Sequence, residues 1–306
     1  MLIRGKVQIM GSVPMRLFTI SLVASFAIAM ASFGFAQKSS AEAFNQGPKV
    51  CGECHRGESE VWKGTKHFES FKKVHKIKKA KEIAKATGQK SMKRNETCVQ
   101  CHYTVTQKKA GGKAKPAAGP SCESCHGAAE GWLQVHYEKG ASHASNVRAG
   151  LVPLQDPQVR AKVCLDCHYG STKTGQFVTH SMMAAGHPRI SFELDLFSAL
   201  QQHHDEDADY VRRKRRTDSL RLWAVGQAEA VARATDLFAR PGYGMRGMFP
   251  ELYFYDCHSC HRAITDGPAR RLTFETNPGR PIPFGNPPFN DENIIMLSAV
   301  SSALAP

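Results

Sequence analysis

At 306 residues the chain has room for one or two ordinary domains, and 41 Lys and Arg against 27 Asp and Glu give it a formal net charge of +14. All 10 cysteines fall into five copies of Cys-x-x-Cys-His, which leaves none for a disulfide framework. A zinc ribbon would use cysteine pairs in twos and strand one of the five; neither zinc nor a redox dithiol explains a histidine after every second cysteine. With 14 histidines in the chain, chance would put one there all five times on the order of once in five million.

Read from the N-terminus, Arg4, Lys6 and Arg16 precede an apolar, uncharged run from Leu17 to Phe35, and Gly34 and Ala36 are small where a signal peptidase reads. Residues 1–36 are expected to be a cleaved signal peptide. The alternative is an uncleaved anchor, because the run is nearly long enough to span a bilayer. No cysteine lies near the cleavage site, which argues against a lipoprotein, and loss of residues 1–36, with three Lys or Arg and no acid, leaves +11. A small, polar lead-in, residues 37–49, ends at the first motif, Cys51-Gly-Glu-Cys54-His55. This is the attachment sequence of c-type haem: both thiols add to the porphyrin vinyl groups and the histidine becomes an axial iron ligand.

A short helix is expected from Glu60 to His67. Residues 63–94 hold twelve Lys or Arg against Glu69 and Glu82, and Phe68, Phe71, Val74, Ile77 and Ile83 recur at helical steps with one gap. That pattern predicts an amphipathic helix ending at Gly88, its basic face either simply solvated or a docking patch for an acidic redox partner or an anionic surface. After the second motif, Cys98-Val-Gln-Cys101-His102, residues 107–120 read as an exposed, mobile loop with Gly111-Gly112 at its tip. The third motif, Cys122-Glu-Ser-Cys125-His126, leads into a short predicted helix that presents Trp132 and His136 on one side.

The fourth motif is Cys164-Leu-Asp-Cys167-His168. Beyond His180, Gly186-His187-Pro188-Arg189 holds His187 in extended backbone, because proline disfavours the helical region for the residue before it. Arg189 is placed to pair with a haem propionate, and Met182 and Met183 are alternative soft ligands. His203-His204 precede an acidic and then a basic cluster. A long scaffold helix is predicted from Asp218 to Arg240, with Leu220, Trp223, Ala224, Val231, Ala234 and Phe238 as its stripe and Pro241-Gly242 as its end. The fifth motif, Cys257-His-Ser-Cys260-His261, closes a pentahaem region over 37–265, and residues 266–306 read as an extended Pro/Gly-rich tail with a short docking helix over 293–305.

Each motif supplies one axial nitrogen, from His55, His102, His126, His168 and His261. The sixth position separates a carrier from an enzyme: bis-histidine iron is saturated, whereas an open position binds small substrates. Nine histidines remain, at 67, 75, 136, 143, 180, 187, 203, 204 and 258. Local context selects His67, His136, His180, His187 and one of His203 or His204, with His203 preferred.

The first motif followed by Trp62 and His67 resembles the opening segment of the multihaem cytochrome c superfamily that includes the tetrahaem cytochrome of ammonia oxidisers and hydroxylamine oxidoreductase. The segment Cys122 to Ala129 with Trp132-Leu133 and His136, and Gly186-His187-Pro188-Arg189 with Phe192-Glu193-Leu194, are similar to later segments of it. The resemblance implies distal-ligand histidines at these places, closely stacked haem pairs and a mostly helical, loop-rich chain around them. Five motifs rather than four or eight limit how far its haem arrangement carries over, and the absence of Cys-x-x-Cys-Lys argues against a lysine-ligated catalytic haem.

The expected protein is mainly α with extensive loops, wrapped around a packed array of five covalent haem c groups, with the second and third motifs as near neighbours. One haem per roughly 54 mature residues leaves too little protein for a conventional core, and the apoprotein is expected to be largely unfolded. Propionates would bring the holoprotein to about +6 oxidised and about +1 reduced, which removes any inference of nucleic acid from the basic sequence. The expected role is one-electron relay in the periplasm or another extracytoplasmic space, with redox partner proteins, some acidic, and either a homo-oligomer or a larger complex. Membrane contact follows only if the N-terminal segment is uncleaved. The alternatives are an oxidoreductase of nitrogen or sulfur compounds with one five-coordinate haem, and the haem subunit of an extracellular filament or larger complex.

Overall fold

Short helices follow the motifs along the chain, because Cys-x-x-Cys-His places its two sulfurs and its imidazole on one side of a single helical turn. The computed structural model describes residues 43–171, 175–189, 192–243, 251–257, 260–261 and 287–305. The expected signal peptide, His258 and residues 262–286 lie outside the described residues, and everything below concerns residues 43–305. The described chain is mainly helical with a few short strands.

The first motif lies on α1 (Pro48–Gly52) and the turn after it, where the His55 N–H donates to Cys51 O at 2.9 Å. The helix expected over 60–67 is in fact α2 (Arg56–Lys63), then a break at Gly64, where Thr65 caps α3 (Lys66–Lys73) by accepting from Phe68 N–H. The basic amphipathic helix expected to end at Gly88 is likewise divided: a 3₁₀ turn, Val74–Lys76, separates α3 from α4 (Lys78–Ala86). Ile77 at the junction is exposed, while Phe71 and Val74 pack on Met92, Cys98 and Tyr103. Gly88, at φ +77°, takes the left-handed conformation that ends α4.

The second motif closes α5 (Glu96–His102), capped by Asn95. The loop expected over 107–120 is a hairpin instead: β1 (Thr104–Thr106) pairs antiparallel with β2 (Lys115–Ala118). The buried Thr104 hydroxyl explains it, donating to Gly119 O at 2.9 Å and accepting from Ser121 N–H at 3.1 Å, which ties the returning strand to the next motif. The third motif is α6 (Cys122–His126), with a capping box between Ser121 and Ser124. Residues 127–137 form two 3₁₀ turns rather than one helix, yet Trp132 and His136 still meet, ring centres 5.4 Å apart.

After α7 (His143–Arg148), the fourth motif ends α8 (Pro157–His168), which starts with Asp156 as cap and Pro157 in its first turn. Strands β3 (Gly170–Ser171) and β4 (Gln176–Phe177) pair antiparallel. Then come α9 (His180–Ala184), α10 (Leu194–Leu200), α11 (Ala208–Lys214), α12 (Ser219–Phe238) and α13 (Glu292–Leu304), the last packed on α12. The stripe predicted on α12 is rotated from the observed one. Leu222, Ala230, Ala234 and Leu237 are buried, with Gly226 and Gln227, whereas Leu220 is 70% exposed. Gly226 is what α10 requires, since a Cβ there would come within 2.5 Å of Leu194 Cβ. An apolar core joins α8, α10, α12 and the turn Leu252–Phe254, with Leu165, Leu194, Leu237 and Phe254 inaccessible to solvent. The expectation of too little protein for a conventional core is therefore corrected for this part of the chain.

Candidate haem-binding site

In each motif the histidine follows the second cysteine at the end of one helical turn; in the fifth, the His261 N–H donates to Cys257 O at 2.7 Å. Each motif imidazole faces a second one contributed from far away. Ring centres are 6.3 Å apart for His55 and His136, 6.2 Å for His102 and His187, and 6.2 Å for His168 and His67. They are 5.9 Å apart for His261 and His180. His126 faces two rings, His203 at 6.0 Å and His204 at 6.3 Å. The members of these pairs, taking His203, stand 77 to 101 positions apart in sequence.

That spacing suits a metal held between two rings. A histidine nitrogen sits about 2.0–2.1 Å from a metal and the ring centre about 1 Å behind it, so two imidazoles in line across one ion have centres roughly 6 Å apart. Ring orientation fits as well. A backbone carbonyl lies against Nδ1 of three of the facing histidines: Leu133 O at 2.5 Å from His136, Pro188 O at 2.8 Å from His187 and Gln201 O at 2.6 Å from His203. With the hydrogen on Nδ1, such a contact leaves Nε2 as the free donor and fixes the ring plane. Burial pushes His102, His126 and His168 down to about 4 and also lowers His67, keeping these imidazoles neutral as metal ligation requires.

The thiols set the order in which the motifs neighbour one another. Cys51 hydrogen-bonds Cys122, which together with burial holds the Cys51 proton well above the usual thiol range. Cys167 does the same toward Cys101, and Gln176 Nε2 lies 3.3 Å from Cys167 Sγ and 3.6 Å from Cys101 Sγ. Burial pushes Cys164 up to about 12, and nearby Cys125 adds to the rise. The contacts therefore run from the first motif to the third, the third to the fourth and the fourth to the second. The thiols thus pair the first motif with the third and the second with the fourth, while Thr104, two residues past the second motif, hydrogen-bonds Ser124 inside the third at 2.9 Å. The fifth motif joins through aromatic residues: Tyr169, next to His168, meets Tyr253 at 5.5 Å, and the Glu251 carboxylate accepts from His180 N–H at 2.7 Å.

A buried carboxylate that motif spacing did not single out sits inside the third motif. Glu123 accepts from Gln46 and Gly47 N–H at 2.7 and 2.6 Å and from Ala129 N–H at 2.8 Å, binding the lead-in of the first motif to the third. Its only sequence signal is an acidic residue between two cysteines. Arg189 lies over the Tyr253 ring at 4.9 Å, and Met182 is buried. Among the described residues, His75 and His143 face no motif histidine; His143 is exposed beside Gln155.

Residues 50–127, which carry the first three motifs, match the family described as cytochrome c554 and c-prime. The resemblance to the multihaem c-type cytochromes is thereby borne out, and with it the class of cofactor, haem c attached through cysteine thioethers. Over 110 residues the chain is 33% identical to cytochrome c-554 of Nitrosomonas europaea, a match covering 34% of this chain and 47% of that protein, so it spans about half of the relative's length. No solved structure matches the chain.

Proposed function

We propose that this chain is an exported pentahaem c-type cytochrome that relays single electrons through five bis-histidine haems. The observation that carries this reading is the pairing of every motif histidine with a second imidazole at 5.9–6.3 Å. Haem c bound at these motifs supplies a one-electron iron couple. Ten cysteines anchor it, at 51, 54, 98, 101, 122, 125, 164, 167, 257 and 260. The imidazole pairs that would hold the irons are His55 with His136, His102 with His187, His126 with His203, His168 with His67, and His261 with His180. Two histidines on each iron would leave no position for a substrate, which favours relay over catalysis. The thiol contacts support a route from the first site through the third and fourth to the second, with the fifth joining at the fourth.

Export is the reading of residues 1–36, and no described helix is long and apolar enough to cross a membrane. A partner surface is supplied by α3 and α4. Glu69 holds Lys66 and Lys73, and Glu82 lies near Lys78 and Lys79, but Lys76, Lys81 and Lys85 have no acidic partner within salt-bridge distance among the described residues. They suit an acidic redox protein.

Mass spectrometry of the purified protein should count five haems. Electron paramagnetic resonance of the oxidised form should show low-spin iron only, unchanged by nitrite, hydroxylamine or cyanide. His187→Ala should convert one haem in five to high spin. Four haems, or a native high-spin signal that moves when these ligands are added, would overturn the proposal.

A further inference from the structure

Behind the first motif lies a cleft of about 740 Å³ that none of the ten cysteines and no described histidine lines. Lys49, Gly52, Glu53 and Arg56, which recur at three- and four-residue steps around the turn bearing Cys51, Cys54 and His55, form one wall. The floor is aromatic. Trp62, fixed by its Nε1–H donating to Pro120 O at 3.0 Å, meets Phe68 edge-on at 4.9 Å, and Phe71 continues the surface. Four cations rim the space, Lys49, Arg56, Lys63 and Lys72, against the single carboxylate of Glu53. Glu60 holds Lys63 at 2.6 Å, and Lys72 sits 5.5 Å over the Phe68 ring.

We infer that this cleft binds a planar aromatic anion of the quinone class, which exchanges electrons with the haem of the first motif. Its volume is that of small-molecule sites, roughly 300–1,000 Å³. A rigid aromatic floor selects a flat ring system, and the cationic rim selects negative charge at its edges. Gly52 and Glu53, which line the cleft, are the two residues between Cys51 and Cys54, so one turn of backbone separates the ligand from the first haem attachment. A flat anion with its own reversible couple is the ligand that uses this position. With haem bound, two one-electron donations from reduced haems, which would be oxidised to the ferric state, and two protons from two waters, left as hydroxide, would convert the quinone to the hydroquinone; no bond to the protein forms. The redox half of this inference rests on the relay proposed above.

The test uses the holoprotein with two probes, anthraquinone disulfonate and the redox-inert naphthalene disulfonate. Calorimetry should find saturable binding of both, and oxidation of the reduced holoprotein by anthraquinone disulfonate should saturate with its concentration. Arg56→Gln with Lys72→Gln should weaken binding at least tenfold, and Ala117→Trp, which fills the cleft from β2, should abolish it, both with the haem count and visible spectrum of the parent. Absence of binding, equal competition by inorganic sulfate, binding indifferent to both variants, or binding without saturable electron transfer would each overturn the inference. Failure of the pentahaem reading would appear separately, in the haem count, which neither probe enters.

Discussion

The two halves of the described chain are held together by different means. In residues 157–305, α8, α10 and α12 share one apolar core with Tyr253 and Phe254, and four of its large side chains are wholly inaccessible. Residues 43–152 have one small cluster, Met92, Cys98 and Tyr103, and their other buried apolar residues, Ile83, Ala84, Ala118, Ala129 and Trp132, stand outside it, beside the buried polar Asn95, Thr104, Ser121 and Glu123. Apolar burial stabilises by about 25 cal/mol per Å², so the first half must find its stability elsewhere. It consists of one- and two-turn helices that are marginal alone, tied at the motif cysteines and at the facing histidines. Haem attachment should therefore matter far more to residues 43–152 than to the core on α12.

Haem removal probes this contrast most strongly. Protein made without haem attachment should lose amide protection throughout residues 43–152 while α8 and α12 keep measurable protection in hydrogen exchange. Uniform exchange over both halves would restore the view that haem is the whole core. Next in size is Leu237→Ala on the inaccessible face of α12, which should cost about 2–5 kcal/mol in denaturant unfolding of the holoprotein and raise exchange in residues 157–305 first.

Glu123→Gln probes the other half at a smaller scale. One of the two carboxylate oxygens, each accepting backbone N–H bonds, becomes an NH₂ that cannot accept, leaving a buried donor unpaired. A loss of about 1–3 kcal/mol is expected, with faster exchange at Gly47 and Ala129 and none of this change reaching α12. Exchange faster on α12 than at Gly47 would mean that the halves are not independent.

The chemistry was far more legible than the packing. Five repeats of Cys-x-x-Cys-His state their attachment geometry locally, because the two sulfurs and the imidazole share one helical turn. His136 and His187 were marked by neighbours at fixed spacing, Trp132 and Pro188, and both come to face motif rings. His204 is the alternative to His203 in the sequence, and the fold brings both rings near His126, where one nitrogen from each of the three lies within 4.8 Å of the others. What sequence could not order was the motifs in space. Proximity along the chain suggests the second and third as a pair, and a hydroxyl network with no periodic signature does tie Thr104 to Ser121 and Ser124, but the thiol contact of the third motif is with the first, which nothing in the spacing marks. Lys115-Pro116-Ala117-Ala118 lacks the β-branched and aromatic residues that mark strands, which is why it read as loop.

The rotated stripe of α12 yields the smallest predicted effect. Leu220 and Leu222 are two residues apart and equally apolar, and a helix turns by about 100° per residue, so only one of them can face the core. The sequence stripe chose Leu220 because it aligns with Trp223, Ala224 and Val231, but close packing of Leu194 against Gly226 fixes the helix face, and Leu222 shares that face at a four-residue step. Leu220→Ala should therefore change unfolding free energy by less than about 0.5 kcal/mol, the range of exposed sites, whereas Leu222→Ala should cost about 2–5 kcal/mol. Equal losses for the two variants would mean that Leu220 is covered in solution, and the assignment of the core face would have to move with it.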